Sequence, residues 1–215
     1  MDLVALAGAI AIAYLLGTIP FGLLIARLFG EPNLRGKGSG NIGATNVWRV
    51  VGPKAAILVY LCDVGKGALA VTIGRAMPQT RIEPETLIVL CTAAVVLGSI
   101  FPFYLKFKGG KGVSTALGAV MTLLPLEAVV CVLVFSVVVT WSRIISLGSI
   151  IAACSLCPII LVEVHYLNEP VPQLYLYMSI LVGLVVLVSH RDNISRLLDG
   201  TENRFTPDSR TKQIG

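Results

Sequence analysis

From Leu3 to Val188 the chain is a succession of apolar runs separated by short polar breaks, and most runs are long enough to cross a hydrocarbon core of about 30 Å. Backbone groups in lipid have no water to bond, and a helix satisfies them within its own segment. The charge content excludes the alternative of a soluble domain. Only 13% of the residues are charged and the mean hydropathy is +0.84, whereas a soluble surface needs about 25% charged residues. The expected class is therefore an all-α, polytopic integral membrane protein.

The runs cover residues 3–29, 54–76, 86–104, 113–141, 147–164 and 174–188. The fourth, at roughly 29 residues, is too long for one comfortable span and short for two. Left whole, it gives six spans. Broken at Leu124-Pro125-Leu126-Glu127, where a proline and an acidic residue coincide, it gives seven. Charge decides between the two. With seven spans, fourteen Lys and Arg residues fall on one side and only Arg75 and Arg81 on the other; with six, the division is eight against eight. The excess of basic residues on cytoplasmic loops favours seven transmembrane helices, with the N-terminus outside and the C-terminus in the cytoplasm. The fourth helix, 113–124, would then be only about 18 Å long at 1.5 Å per residue. A short tail from about residue 191 would lie in the cytoplasm, with Leu197 and Leu198 in an interfacial helix.

Within the first run, Gly17-Thr18-Ile19-Pro20 predicts a kink whose freed carbonyls need outside partners. Asp63 and Lys66, three apart in the second run, share a helix face and are expected to pair. Asp2 stands where the basic start of a secretory leader would be, so no leader is expected. The five cysteines all lie in apolar runs, and Cys154-x-x-Cys157 has no second pair or nearby histidine to complete a metal site; they read as small buried hydrophobes. The net charge of +5 follows from membrane orientation, and no nucleic-acid partner is expected.

Three polar stretches do not serve helix packing. They are Gly36-Lys37-Gly38-Ser39-Gly40-Asn41-Ile42-Gly43-Ala44-Thr45-Asn46 with Arg49, then Lys108-Gly109-Gly110-Lys111-Gly112, then His190-Arg191-Asp192-Asn193. Glycines let backbone N–H groups point at an anion, while Lys and Arg supply the countercharge. Seven spans gather Ser39, Gly40, Asn41, Thr45, Asn46, Arg49, Gly110, Lys111, Gly112, His190 and Asn193 on one face, a composition suited to phosphate. The helix that begins at Gly112 adds its positive dipole end. The Lys111-Gly112-Val113-Ser114-Thr115 run lacks P-loop spacing, which argues against ATP hydrolysis.

These stretches carry a family resemblance. Gly38-Ser39-Gly40-Asn41-Ile42-Gly43-Ala44-Thr45-Asn46 with Arg49, Phe107-Lys108-Gly109-Gly110-Lys111-Gly112-Val113, and His190-Arg191-Asp192-Asn193-Ile194 with Arg196-Leu197 and Gly200-Thr201-Glu202 resemble, in order, the three motifs of the bacterial acyl-phosphate:glycerol-3-phosphate acyltransferases, the PlsY family. The resemblance covers nearly the whole chain and implies a single membrane-embedded acyltransferase domain over residues 1–215. It implies transfer of a fatty acyl group from acyl phosphate to the 1-hydroxyl of glycerol 3-phosphate, giving lysophosphatidic acid and phosphate, the first step of phospholipid synthesis. The implied site is at the cytoplasmic face of the bacterial inner membrane. No cofactor or metal is expected, and the implied partners are the two substrates, membrane lipids and transiently the enzyme that makes acyl phosphate.

The motif match points to Ser39, Arg49, Lys111, His190 and Asn193. Arg49 and Lys111 are expected to bind phosphate, Ser39 and the glycine amides the acyl-phosphate head, and Asn193 glycerol 3-phosphate. His190 is either an orienting hydrogen-bond donor or the general base. A transporter for a phosphorylated anion is the competing reading, but its polar groups would sit at the membrane midplane.

Overall fold

The computed structural model describes residues 3–77 and 83–205. Asp2, the loop with Arg81, and the tail with Arg210 and Lys212 lie outside the described residues. Among the described residues all regular structure is helical. The α-helices are α1 (Leu3–Thr18), α2 (Phe21–Leu28), α3 (Ala44–Val50), α4 (Pro53–Ala76), α5 (Pro84–Ile100), α6 (Val113–Leu123), α7 (Pro125–Ser142), α8 (Ile145–Val162), α9 (Gln173–Ser189) and α10 (Arg191–Leu198). Five stretches are long and apolar enough to cross a membrane: Leu3–Leu28, Pro53–Ala76, Pro84–Leu105, Pro125–Ser142 and Ile145–Leu167. The apolar helix α9 joins α10 through a bend of 64°, and α6 is shorter, at 11 residues.

Two of the chain's breaks fall at prolines, while Pro158 is carried inside α8. Leu124 leaves helical geometry at φ −135°, and Pro125 opens α7, so the long apolar run is two helices. In the first run, Ile19-Pro20 separates α1 from α2. The carbonyls freed there are all taken. Lys66 Nζ donates to Gly17 O at 3.1 Å and to Ile19 O at 3.2 Å, and the Tyr104 hydroxyl donates to Thr18 O. Lys66 also pairs with Asp63 at 2.9 Å and is only 4% exposed. The expected Asp63–Lys66 pair is present, and it also caps the break in α1–α2.

Close packing explains the inward-facing glycines. A Cβ on Gly17 would meet the Val95 carbonyl and one on Gly98 the Tyr14 carbonyl, so α1 and α5 approach backbone to backbone. Gly67 and Gly118 do the same for α4 and α6. The principal core spans α1, α4, α5, α6, α7, α8 and α9. A second cluster of Ile25, Ala26, Leu34, Val47, Ala55, Ala56 and Val59 packs α2 and α3 onto the start of α4 and seats the first glycine stretch. Leucines and valines such as Leu61, Leu133 and Val137 stay exposed on the outer faces, the pattern of helices solvated by lipid.

Candidate active site

The first glycine stretch is a loop wound around one side chain. Asn46 Oδ1 accepts the Ser39 N–H at 2.8 Å, while its Nδ2 donates to the carbonyls of Asn41 at 2.8 Å and Lys37 at 3.2 Å. Asn46 is 1% exposed, so its amide is engaged in shaping the loop. Gly38 sits at φ +61°, and a Cβ there would strike the Asn46 amide, so no other residue fits this turn. Gly40 is set back from the cavity, its N–H bonded to Lys37 O at 3.1 Å. Asn41 accepts the Gly43 N–H at 2.8 Å and closes the next turn. Ser39, Asn41, Thr45, Asn46 and Arg49 line the cavity, and of these Ser39, Thr45 and Arg49 have side chains not engaged in holding the loop. Lys37 instead pairs with Glu31 at the surface.

Hydrogen bonds join the three stretches. Arg35 Nη2 donates to Lys108 O at 2.5 Å, linking the first to the second. The second folds back on the end of α5 through Gly109 N–H to Ile100 O and Gly110 N–H to Ser99 O. Gly112, at φ +73°, then turns the chain into α6, whose first N–H groups have no partner within the helix. Lys111 Nζ donates to Asn193 Oδ1, which links the second stretch to the third. His190 and Asn193, at the α9–α10 bend, are both buried and both line the cavity.

The C-terminal segment closes the arrangement. After α10 the chain turns at Gly200, and Glu202 accepts hydrogen bonds from Ser146 Oγ at 2.8 Å, Asn193 Nδ2 at 2.6 Å and Arg196 Nε at 2.7 Å. Phe205 donates its N–H to Arg143 O at 2.6 Å and packs its ring on Trp48, 5.5 Å between centroids. Glu202, Arg196, Ser146, Trp48 and Phe205 were not among the expected site residues. Glu202 and Arg196 lie within the third motif and were legible there; no local signal marks Ser146.

The cavity has a volume of about 720 Å³. Its polar end holds Ser39, Arg49, Lys111, His190, Asn193 and Arg196. Its apolar lining comes from successive turns of α6, α7, α8 and α9, including Val120, Phe135, Ala153 and Val186. Burial, opposed by Glu202, pulls the Lys111 ammonium down to about 8. Burial, and next the Lys111 charge, pushes the His190 imidazole down to about 4, so it is neutral at pH 7. His190 Nδ1 lies 2.9 Å from Val186 O, and a carbonyl only accepts. Nδ1 therefore carries the proton, and Nε2 is the acceptor. Burial also lowers the Arg49 guanidinium, with Glu202 opposing the shift. Burial alone would raise the Glu202 carboxyl, but hydrogen bonds from Ser146, Asn193 and Arg196 outweigh it and hold it below its usual value. The result is a cluster of cations around one internal carboxylate, beside a long apolar slot. It suits a molecule with a phosphate head and a lipid tail.

Comparison with known proteins agrees with this chemistry. The sequence profile of the family described as glycerol-3-phosphate acyltransferase matches residues 7–200. A glycerol-3-phosphate acyltransferase of Syntrophomonas wolfei is 39% identical over 93% of this chain and 97% of its own length. One of Trichlorobacter lovleyi is 45% identical over 91% of this chain and 95% of its own. The crystal structure of PlsY, an integral membrane glycerol 3-phosphate acyltransferase, in its glycerol 3-phosphate form superposes with a TM-score of 0.81 at 38% identity, covering 94% of this chain and 96% of that one. Its lysophosphatidic acid form gives 0.79 at 37% identity. With motifs, cavity and relatives in agreement, the chain belongs to the glycerol-3-phosphate acyltransferase family, the integral membrane acyltransferases of phospholipid synthesis to which PlsY belongs.

Proposed function

We propose that the protein transfers a fatty acyl group from acyl phosphate to the 1-hydroxyl of glycerol 3-phosphate, releasing lysophosphatidic acid and inorganic phosphate. The observation that carries this reading is the junction of a cation cluster, Arg49, Lys111 and Arg196, with an apolar slot between α6 and α9. Both substrates bring phosphate, and one brings a lipid chain. Arg49 and Lys111 bind phosphate oxygens, with the N–H groups at the head of α6 and the Gly110–Gly112 backbone beside them. Ser39 and Thr45 receive the acyl-phosphate head. Asn46 and Gly40 act indirectly by shaping the loop, as does Asn41 through its turn.

Acyl phosphate is already activated, so the protein's task is to position the hydroxyl and to stabilise charge on the carbonyl oxygen and departing phosphate. Asn193, held between Lys111 and Glu202, orients glycerol 3-phosphate. His190 presents Nε2 as an acceptor for the attacking hydroxyl. An imidazole at about 4 keeps a proton poorly at neutral pH, so the proton passes to a phosphate oxygen, whose second pKa is about 6.

The proposed arrangement has seven spans, with α6 and α9 as the two short ones, and the site at the cytoplasmic face of the bacterial inner membrane. The fourteen-to-two division of basic residues and the break at Leu124 support it. The chain acts as a single unit whose transient partner is the enzyme that makes acyl phosphate. An accessibility label at the C-terminus that reacted from outside the cell would refute this orientation.

The activity is tested with purified protein in lipid, palmitoyl phosphate and labelled glycerol 3-phosphate, without ATP, CoA or divalent metal. Lysophosphatidic acid is the expected product; success with acyl-CoA alone would overturn the donor assignment. The Lys111 value also sets a pH dependence. Because its pKa is lowered to about 8, the empty site loses this cation as pH rises through that value. The KM for glycerol 3-phosphate is expected to be flat between about pH 7 and 8, where the substrate phosphate is already a dianion, and to climb above pH 8. A KM unchanged to pH 9.5, about 1.5 units beyond the midpoint, would remove Lys111 from phosphate binding.

A further inference from the structure

The segment after α10 does more than anchor the end of the chain. Residues 199–205 run from α10 to the α7–α8 turn and on to α3, and Glu202, Asn203 and Phe205 line the polar end of the cavity. One end is fixed by the three hydrogen bonds into Glu202. The other is fixed by the Phe205 N–H on Arg143 O and by the tilted contact of the Phe205 ring with Trp48, the residue before Arg49. Two apolar rings over the polar end of a cavity full of cations are unexpected unless they keep something out.

We propose that this strap is a fixed wall that excludes bulk water from the acyl carbonyl, with Phe205 on Trp48 as its latch. Phe205 thereby acts as a specificity-determining residue that selects the acceptor. This rests on the acyl-phosphate reading above. Acyl phosphate has two competing fates in such a site. In both, an oxygen nucleophile bonds to the acyl carbon, the bond from that carbon to the bridging phosphate oxygen breaks, and the electron pair leaves with phosphate. When the nucleophile is the glycerol hydroxyl, its proton passes to phosphate and the product is lysophosphatidic acid. When it is water, the product is free fatty acid. The cation cluster serves both reactions equally, because it stabilises the same leaving group. Discrimination therefore depends on which nucleophile reaches the carbon, and the strap lines the polar end beside the cations. A phosphate-bearing acceptor is held in place by Arg49, Lys111 and Arg196 and displaces the water around them; the apolar latch leaves further water no polar partner beside the carbonyl.

The experiment measures free fatty acid formed per lysophosphatidic acid from palmitoyl phosphate and glycerol 3-phosphate, with reconstituted full-length protein. Once the spontaneous hydrolysis of palmitoyl phosphate in a protein-free control is subtracted, the ratio does not depend on how much enzyme is folded. Phe205→Ala removes the ring but keeps the N–H bond to Arg143 and all three bonds to Glu202. It is expected to raise the ratio by about tenfold, the upper range of what one aromatic contact holds in place. Phe205→Tyr, which keeps the ring, should return the ratio to the wild-type value. If Phe205→Ala yields no usable protein, Trp48→Leu opens the same contact from the other side and should raise the ratio likewise. A ratio unchanged while both products fall together would overturn the wall and leave the strap a structural tether. Wild-type protein that formed neither product from palmitoyl phosphate would overturn the donor assignment, and the acceptor selection with it.

Discussion

Lys111→Ala is expected to lower turnover by about a thousandfold, the upper range for loss of one charge-stabilising group in a preorganised site, while leaving membrane insertion intact. Lys111 stands in a loop, not in a span, and its ammonium makes one side-chain bond, to Asn193. Nothing in the helix packing leans on it. Its loss acts on the electrostatics instead. The cation is already partly desolvated, as its lowered pKa shows, and a charge in that condition acts on a phosphate with little screening. Removing it also leaves the Glu202 carboxylate less well opposed, so an incoming phosphate meets net repulsion where it met attraction. Lys111→Arg is expected to recover only part of the rate, because a planar fork cannot replace a compact ammonium at the same point. The check is initial rate per amount of folded protein in lipid vesicles. Activity within a few-fold of wild type would exclude Lys111 from the reacting site.

Lys66→Leu is expected to prevent accumulation of folded protein. Among the described residues, Lys66 Nζ is the only side chain bonding the carbonyls of Gly17 and Ile19, and it also neutralises Asp63. Removing one partner of a buried pair costs about 3–5 kcal/mol, because the remaining charge is left uncompensated. Here two backbone carbonyls lose their side-chain donor as well. The site would suffer through geometry: α2 packs under the first glycine loop, where a Cβ on Gly22 would strike the Ile42 carbonyl. The double substitution Asp63→Leu with Lys66→Leu should recover part of the stability, since no lone charge remains. The yield of folded protein in the membrane measures the first, and thermal unfolding of the purified double variant against wild type measures the second. A Lys66→Leu protein with the wild-type midpoint would show that the break is satisfied by other means.

Much of this was readable from residue order because the constraints are local. Pro20 and Pro125 lack the N–H that would carry a helix on, and each stands beside a second break signal, Gly17-Thr18 or Glu127. The kink of the first run and the break of the long apolar run at Leu124 were therefore both expected, whereas Pro158 lies inside α8. The three-residue spacing of Asp63 and Lys66 puts them on one helix face in any helical context. What could not be read was the further role of Lys66, whose carbonyl partners lie 47 to 49 residues away in sequence.

The site divides in the same way. Ser39, Arg49, Lys111, His190 and Asn193 stood out because glycine-rich polar stretches have no place in a lipid-facing helix, and all five line one cavity. Asn46 looked like one more polar ligand, yet it is a buried clamp, a distinction that depends on which carbonyls surround it. Ser146, in an apolar helix, carries no mark of belonging to the site until Glu202 is brought against it.

By itself the sequence determined that the chain is a helical membrane protein, where its helices stop, and which stretches carry cationic, glycine-lined chemistry, because hydropathy, proline and glycine act within a few residues. Only the tertiary structure decided which polar groups line one cavity and which hold the loops, that Glu202 is the carboxylate at the centre of the cations, and that Phe205 closes on Trp48. Those outcomes depend on desolvation and on contacts between distant segments, and both exist only once the helices have packed.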